Sequence, residues 1–320
     1  MDKKINFSAL LAITCLLILG CSSKSKPIDV ASNPIPESYQ TPATKPGLLE
    51  RVSYFTPNAA GDSVEKSAFV YLPYNYSPDN LYDVMYIIHG GGESNDVVLG
   101  TESDPTILKT AIDHLILEGK MKPIIIVAPT FYTQGGEPVA VREDAREVVH
   151  VFQKELRDEI LPLIESKYSV YGNGNSPEPR KHRAIGGFSM GGVCTWYAFM
   201  ENMDLFSVFV PISGDSWVIE ALGGGKYAKE TANTIAASIA AQGFTPKDFF
   251  IFSATGKQDI AYPNLYPQIE AMIEMPEYFS FGPDIDSNNL YYMEDEEGIH
   301  WWPWIHKYLF NIIPFLYPAQ

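Results

Sequence analysis

The order of apolar segments in this chain predicts an α/β protein built on a mostly parallel sheet with helices on both faces. Short, wholly apolar runs alternate with longer stretches in which apolar positions recur at helical spacing. A serine flanked by glycines, in Gly187-Phe188-Ser189-Met190-Gly191, falls at one junction between such a run and such a stretch. The third observation is size: 320 residues at 46% hydrophobic can bury one large core, and nothing repeats at a solenoid period.

The first residues stand outside that pattern. Lys3 and Lys4 precede an apolar run over residues 5–20 that is too short and one-sided for a stable transmembrane span, so residues 1–20 read as an export signal. Its end, Ile18-Leu19-Gly20-Cys21, is similar to a bacterial lipobox, in which cleavage before the cysteine precedes acylation of that residue. Several acyl chains supply durable anchoring, which makes Cys21 the expected lipidation site and the bacterial cell envelope the expected location. Residues 21–48, with Pro27, Pro34, Pro36, Pro42 and Pro46 among Ser, Thr and Lys, read as a flexible tether reaching roughly 80 Å at ~3.1 Å per residue. Of the three cysteines, Cys15 leaves with the signal and Cys21 takes lipid, so Cys194 is expected to be a free, buried thiol.

The remainder, 49–320, is expected to be one domain. Residues 67–73 and 84–88 read as strands, the second running straight into His89-Gly90-Gly91-Gly92. Residues 106–118 have helical spacing and 124–127 form a buried strand. Over 144–168, Ala145, Val148, Val149, Phe152, Leu156, Ile160 and Ile164 share one face of a long helix. A strand over 183–188 meets the serine, and a buried helix follows it. Strands at 205–212, 249–252 and 290–293 then alternate with helices at 231–241, 265–275 and 304–316. Ligands of such sheets bind at the carboxyl ends of the strands.

A net charge of −16 with no basic cluster argues against nucleic acid, whose phosphates would be repelled. No HExxH, zinc-type Cys/His spacing or phosphate-cradling loop is present, so no metal and no cofactor is expected.

The glycine-flanked serine has the GxSxG form of a nucleophile elbow, where the serine sits in strained backbone and its neighbours two positions away must lack side chains. A serine hydroxyl needs a base to take its proton, and the base needs an orienting acid. Of six histidines, His306 falls on the closing helix and only His300 lies in the loop after the last strand, where it fits the order Ser, acid, His that such sheets use. Two aspartates end strands between them, Asp215 and Asp259; an acid two strands past the nucleophile's strand is the usual topology, which favours Asp259. Backbone donors for a developing oxyanion are expected from Met190 and from the glycine cluster, where Gly91 is chosen. Trp217, Tyr262, Trp301, Trp302 and Trp304 fall in or beside strand-end loops, and Trp217, Tyr262 and Trp302 are the expected substrate-binding rings.

These residues resemble the esterase D-like branch of the α/β-hydrolases, and within it the feruloyl and acetyl xylan esterases of carbohydrate esterase family 1. The similarity is carried by Val70-Tyr71-Leu72-Pro73, Tyr86-Ile87-Ile88-His89-Gly90-Gly91-Gly92, Glu155-Leu156 with Glu159-Ile160-Leu161-Pro162, Arg183-Ala184-Ile185 leading to the serine motif, Gly256 with Asp259, and Gly298-Ile299-His300-Trp301-Trp302. It spans roughly residues 50 to 316. The resemblance implies an α/β-hydrolase domain and a metal-independent ester hydrolase with Ser189 as nucleophile, His300 as base and Asp259 as orienting acid. Its implied substrate is feruloylated or acetylated xylan, with membrane contact through the lipid anchor only. Ferulate release is the favoured activity because the aromatic supply exceeds what acetate needs. An acetyl xylan esterase, a siderophore or other small-ester hydrolase of the same branch, and a catalytically dead glycan-binding lipoprotein are the alternatives.

Overall fold

The structure is a computed structural model describing residues 32–57, 61–132, 143–172 and 174–319. The export segment and Cys21 lie outside the described residues. Residues 32–47, expected to belong to the tether, instead form a strap laid along the domain. Tyr39 is buried and stacks on His114 with ring centroids 4.7 Å apart. Gly47 donates its amide to Asp113 at 2.8 Å and accepts from the Lys109 ammonium at 2.8 Å. Scattered anchors of this kind leave no periodic pattern, and composition averages them away.

Among the described residues, eight strands form one sheet in the order β1-β2-β4-β3-β5-β6-β7-β8. They are β1 (Leu48–Pro57), β2 (Ser63–Leu72), β3 (Val84–Ile88), β4 (Ile125–Ala128), β5 (Arg183–Phe188), β6 (Val208–Ile212), β7 (Phe250–Gly256) and β8 (Leu290–Asp295). β1 pairs antiparallel with β2 and β2 with β4; every other pairing is parallel. β1 went unread in the sequence although Leu49, Val52 and Tyr54 are buried along it. β3 and β5 are buried at every position because helices cover both faces.

On one face lie α1 (Asp96–Leu99), α2 (Ile107–Leu117) and α8 (Trp302–Leu316), packing Leu108, Ile112, Leu309 and Ile313 against Met85, Ile87 and Ile126. On the other lie α3 (Glu143–Glu155), α4 (Leu161–Lys167), α5 (Met190–Glu201), α6 (Ala228–Ala241) and α7 (Tyr262–Ile273), which bring Phe152, Trp196, Ile235 and Leu265 onto Tyr86, Ile88 and Ile185. Each such side chain contributes about 1.5 to 3 kcal/mol on burial.

The long helix expected over 144–168 is interrupted by a π-helical turn, Leu156–Ile160. Phe152, Leu156, Ile160 and Ile164 are all buried at steps of four, and each such step overshoots a turn of 3.6 residues by about 40°. A wider turn resets the drift. Pro162 also lacks the amide that an α-helix would donate there.

Candidate active site

The elbow lies where β5 ends. Ser189 has φ 56° and ψ −115°, in the left-handed half of the map that costs a non-glycine residue energy. Its amide donates to the Ile212 carbonyl of β6 at 3.0 Å, which holds the turn against the neighbouring strand. A Cβ on Gly187 would come within 2.5 Å of the Gly191 carbonyl carbon, and one on Gly191 would run into the Ile88 carbonyl of β3, so the turn packs against both strands only because these positions are bare.

His300 Nε2 lies 2.9 Å from Ser189 Oγ, and His300 Nδ1 lies 2.6 Å from Asp259 Oδ1. The same Asp259 oxygen accepts the Ala261 amide at 2.8 Å, and the residue is only 3% exposed. The Phe188 ring lies 4.5 Å from the imidazole. The loop bearing His300 is fastened by main chain to the end of β7: Lys257 donates to the Asp295 carbonyl at 2.8 Å and Gln258 to that of Gly298 at 3.1 Å. A Cβ on Gly298 would lie 2.8 Å from Gly256 Cα.

The other histidines are engaged elsewhere. His89 is buried between the Gly90 carbonyl and the Thr130 hydroxyl, each at 2.7 Å, and burial lowers its pKa to about 4. His306, also pushed down to about 4 by burial, meets the Val97 carbonyl. His114 stacks under Tyr39, His150 pairs with Glu201 and His182 with Asp83. Cys194 is buried as expected, and burial pushes its thiol up to about 12.

Asp215, the competing acid, does not meet His300. Its Oδ2 accepts the Gly224 amide at 2.8 Å and its Oδ1 the Trp217 indole N–H at 3.3 Å, so it fastens its own loop. Burial raises its pKa.

The glycine cluster sorts itself by elimination. The Gly90 amide donates to Glu93 Oε2 at 2.8 Å and the Gly92 amide to the Tyr132 hydroxyl at 3.1 Å. Among the described residues the amides of Gly91 and Met190 have no partner, and both residues line the cavity that holds Ser189. Met190 opens α5, whose first amides have no acceptor within the helix.

That cavity has a volume of about 480 Å³. Beyond Ser189 and His300 its walls include Trp217, Leu222, Ile260, Asn264 and Asp215. Of the rings expected to bind substrate only Trp217 is there. Tyr262 is turned away, its hydroxyl on Glu294 at 2.8 Å and its ring stacked on Tyr266 at 5.0 Å. Trp302 is buried in the core, with its indole on Glu93. Ile260, 76% exposed, was missed; an apolar residue directly after an aspartate at a strand end was its signal. Glu93 and Tyr132 carried none, since their role is to accept amides from a loop. Among the described residues, larger hollows of about 850 Å³ lie over α3 and α6 and at the amino ends of β3 to β5.

A parallel sheet that delivers a serine, an aspartate and a histidine, in that chain order, to its carboxyl end places the protein among the α/β-hydrolases. The family follows from comparison: an esterase family model, described as "Putative esterase", matches residues 64–313, and the chain belongs to that family. It is 35% identical over 292 residues to endo-1,4-beta-xylanase Y of Acetivibrio thermocellus, covering 90% of this chain and 25% of that protein. It is 28% identical over 188 residues to an endo-1,4-beta-xylanase/feruloyl esterase of Xylanibacter ruminicola, covering 57% and 24%. The chain thus spans about a quarter of the length of these curated relatives. A serine-to-alanine mutant of the feruloyl esterase module from Clostridium thermocellum, complexed with sinapinate, superposes with a TM-score of 0.76 at 34% identity, covering 92% of this chain and 96% of that one. A ferulic acid esterase from the fungus Anaeromyces mucronatus, at 19% identity and a TM-score of 0.61, shares the fold.

Proposed function

We propose that the chain hydrolyses hydroxycinnamate esters of plant cell-wall xylan, ferulate above all, through an acyl-enzyme on Ser189. The observation that carries the chemistry is the position of His300, 2.9 Å from the serine oxygen and 2.6 Å from a buried carboxylate. Ser189 Oγ attacks the ester carbonyl carbon while His300 Nε2 takes its proton. Asp259 holds the imidazole in the required tautomer and favours the imidazolium. The amides of Met190 and Gly91 receive the oxyanion, a contribution of about 3 kcal/mol per donor. The C–O bond to the alcohol then breaks, and that oxygen takes the proton from His300. Water repeats the sequence and frees the acid.

The acyl preference is supported by Trp217 and by the apolar walls that Leu222 and Ile260 add, together with the xylanase and feruloyl esterase relatives. An aromatic acid uses such a surface and acetate does not, stacking adding ~0.5 to 1.5 kcal/mol per ring pair. The expected kcat/KM for methyl ferulate exceeds that for a simple alkyl acetate by at least about tenfold, and Ser189→Ala retains less than about a thousandth of either activity. Efficient deacetylation of xylan with the opposite order would make it an acetyl xylan esterase with the same three residues.

Export and lipid anchoring in the bacterial envelope complete the proposal, supported by Lys3, Lys4, the apolar run to Gly20 and Cys21. Labelled palmitate is expected to enter the protein in a bacterial host and not its Cys21→Ala variant; equal labelling would remove the anchor.

A further inference from the structure

We infer that Glu93 is a positioning residue for ester hydrolysis: one of its carboxylate oxygens ties the oxyanion-binding loop to the helix that follows the base. The inference rests on the assignment of the Gly91 amide above. Glu93 Oε2 accepts two hydrogen bonds, from the Gly90 amide at 2.8 Å and from the Trp302 indole N–H at 2.8 Å. Both are charge-assisted, which makes them stronger than neutral ones.

The two ends of this bridge reach both halves of the chemistry. Trp302 opens α8 two residues after His300, is 8% exposed, and packs edge-on against Phe188 at 5.3 Å. Phe188 in turn lies against the His300 ring. At the other end, the Gly91 N–H belongs to the same peptide group as the Gly90 carbonyl, which His89 Nδ1 holds at 2.7 Å. Glu93 fixes the amide before that peptide group and Tyr132 the amide after it. Glycine has the widest backbone freedom of any residue, so a run of three keeps one amide aimed only if its neighbours are fastened. A donor contributes to catalysis only when preorganised toward the oxyanion rather than recruited to it.

The test compares the full chain with Glu93→Ala, Glu93→Gln, Trp302→Phe and the Glu93→Ala/Trp302→Phe double variant. Turnover of 4-nitrophenyl acetate is measured on folded protein, with affinity for phenylboronic acid, whose serine adduct places an anionic oxygen in the hole. Glu93→Ala is expected to lower kcat about ten- to a hundredfold, less than the hundred- to thousandfold of losing a donor outright, and to weaken the boronate by the same factor. KM should stay within about twofold. Glu93→Gln, whose amide oxygen can accept both bonds, should recover most of the loss. The double variant should be no slower than Glu93→Ala, because the indole acts through the carboxylate. The inference is overturned if Glu93→Ala leaves kcat and boronate affinity unchanged, if it lowers only the thermal midpoint, or if Glu93→Gln is as slow as the alanine variant. Turnover by Ser189→Ala above about a thousandth of the parent's would instead overturn the nucleophile assignment, and it is read separately.

Discussion

The loops after β6 and β7 each begin near a buried aspartate, and they differ in which neighbour the carboxylate meets. Asp215 is 1% exposed and Asp259 3%, and each accepts a backbone amide from its own loop. Asp215 spends its other oxygen on Trp217 of that same loop; Asp259 reaches His300 across to the loop after β8. Sheet order makes the difference, because β7 borders β8, while β6 lies between β5 and β7. Burial and strand-end position alone therefore do not define an orienting acid. Adjacency to the strand that feeds the histidine does.

The largest expected effect that separates the two loops is on turnover. Asp259→Asn should lower kcat by roughly 10⁴, through loss of the imidazole tautomer that receives the serine proton. A severe defect at Asp215 with little at Asp259, in steady-state kinetics on one activated ester, would reverse the comparison. Asp215→Asn should act on the wall of the cavity instead. By loosening Trp217 and the turn at Gly224, it is expected to reduce kcat/KM for methyl ferulate about tenfold while leaving 4-nitrophenyl acetate within about twofold. Equal losses on both esters would break the distinction between fastening a wall and orienting a base.

The smallest effect is on stability against pH. Burial raises the Asp215 pKa in the folded chain above its unfolded value. The folded state therefore binds this proton more tightly, and the associated stability is present below the unfolded carboxylate pKa and lost as pH rises through the folded one. Asn imitates the neutral form at every pH. Denaturant melts should thus show Asp215→Asn comparing more favourably with the parent at pH 7 than at pH 4, and the reverse order would contradict the burial argument.

The parallel sheet and its two helical layers were legible because β3, β4 and β6 are apolar along their whole length. The convergence of Ser189, His300 and Asp259 was legible because chain order and strand ends constrain it. The aromatic residues were not: Trp217, Tyr262 and Trp302 all follow strand ends, the last two opening α7 and α8, yet only the first faces the cavity. A ring's direction depends on partners such as Glu294 and Glu93 that are distant in sequence. β1 and the strap escaped for a related reason, since both are held by contacts with β2 and α2 rather than by a pattern of their own.

The close approach of Gly256 and Gly298 has a consequence for how this protein can change. The strand leading to the acid and the loop leading to the base are joined by main-chain hydrogen bonds, with no side chain between them. Their mutual alignment is then insensitive to which residues occupy the cavity wall. Leu222 and Ile260, on the rim and 49% and 76% exposed, can be exchanged for other shapes while acid and base keep their register. Substrate range is free to drift under selection, or under a designer's hand, on a hydrolytic centre that stays still.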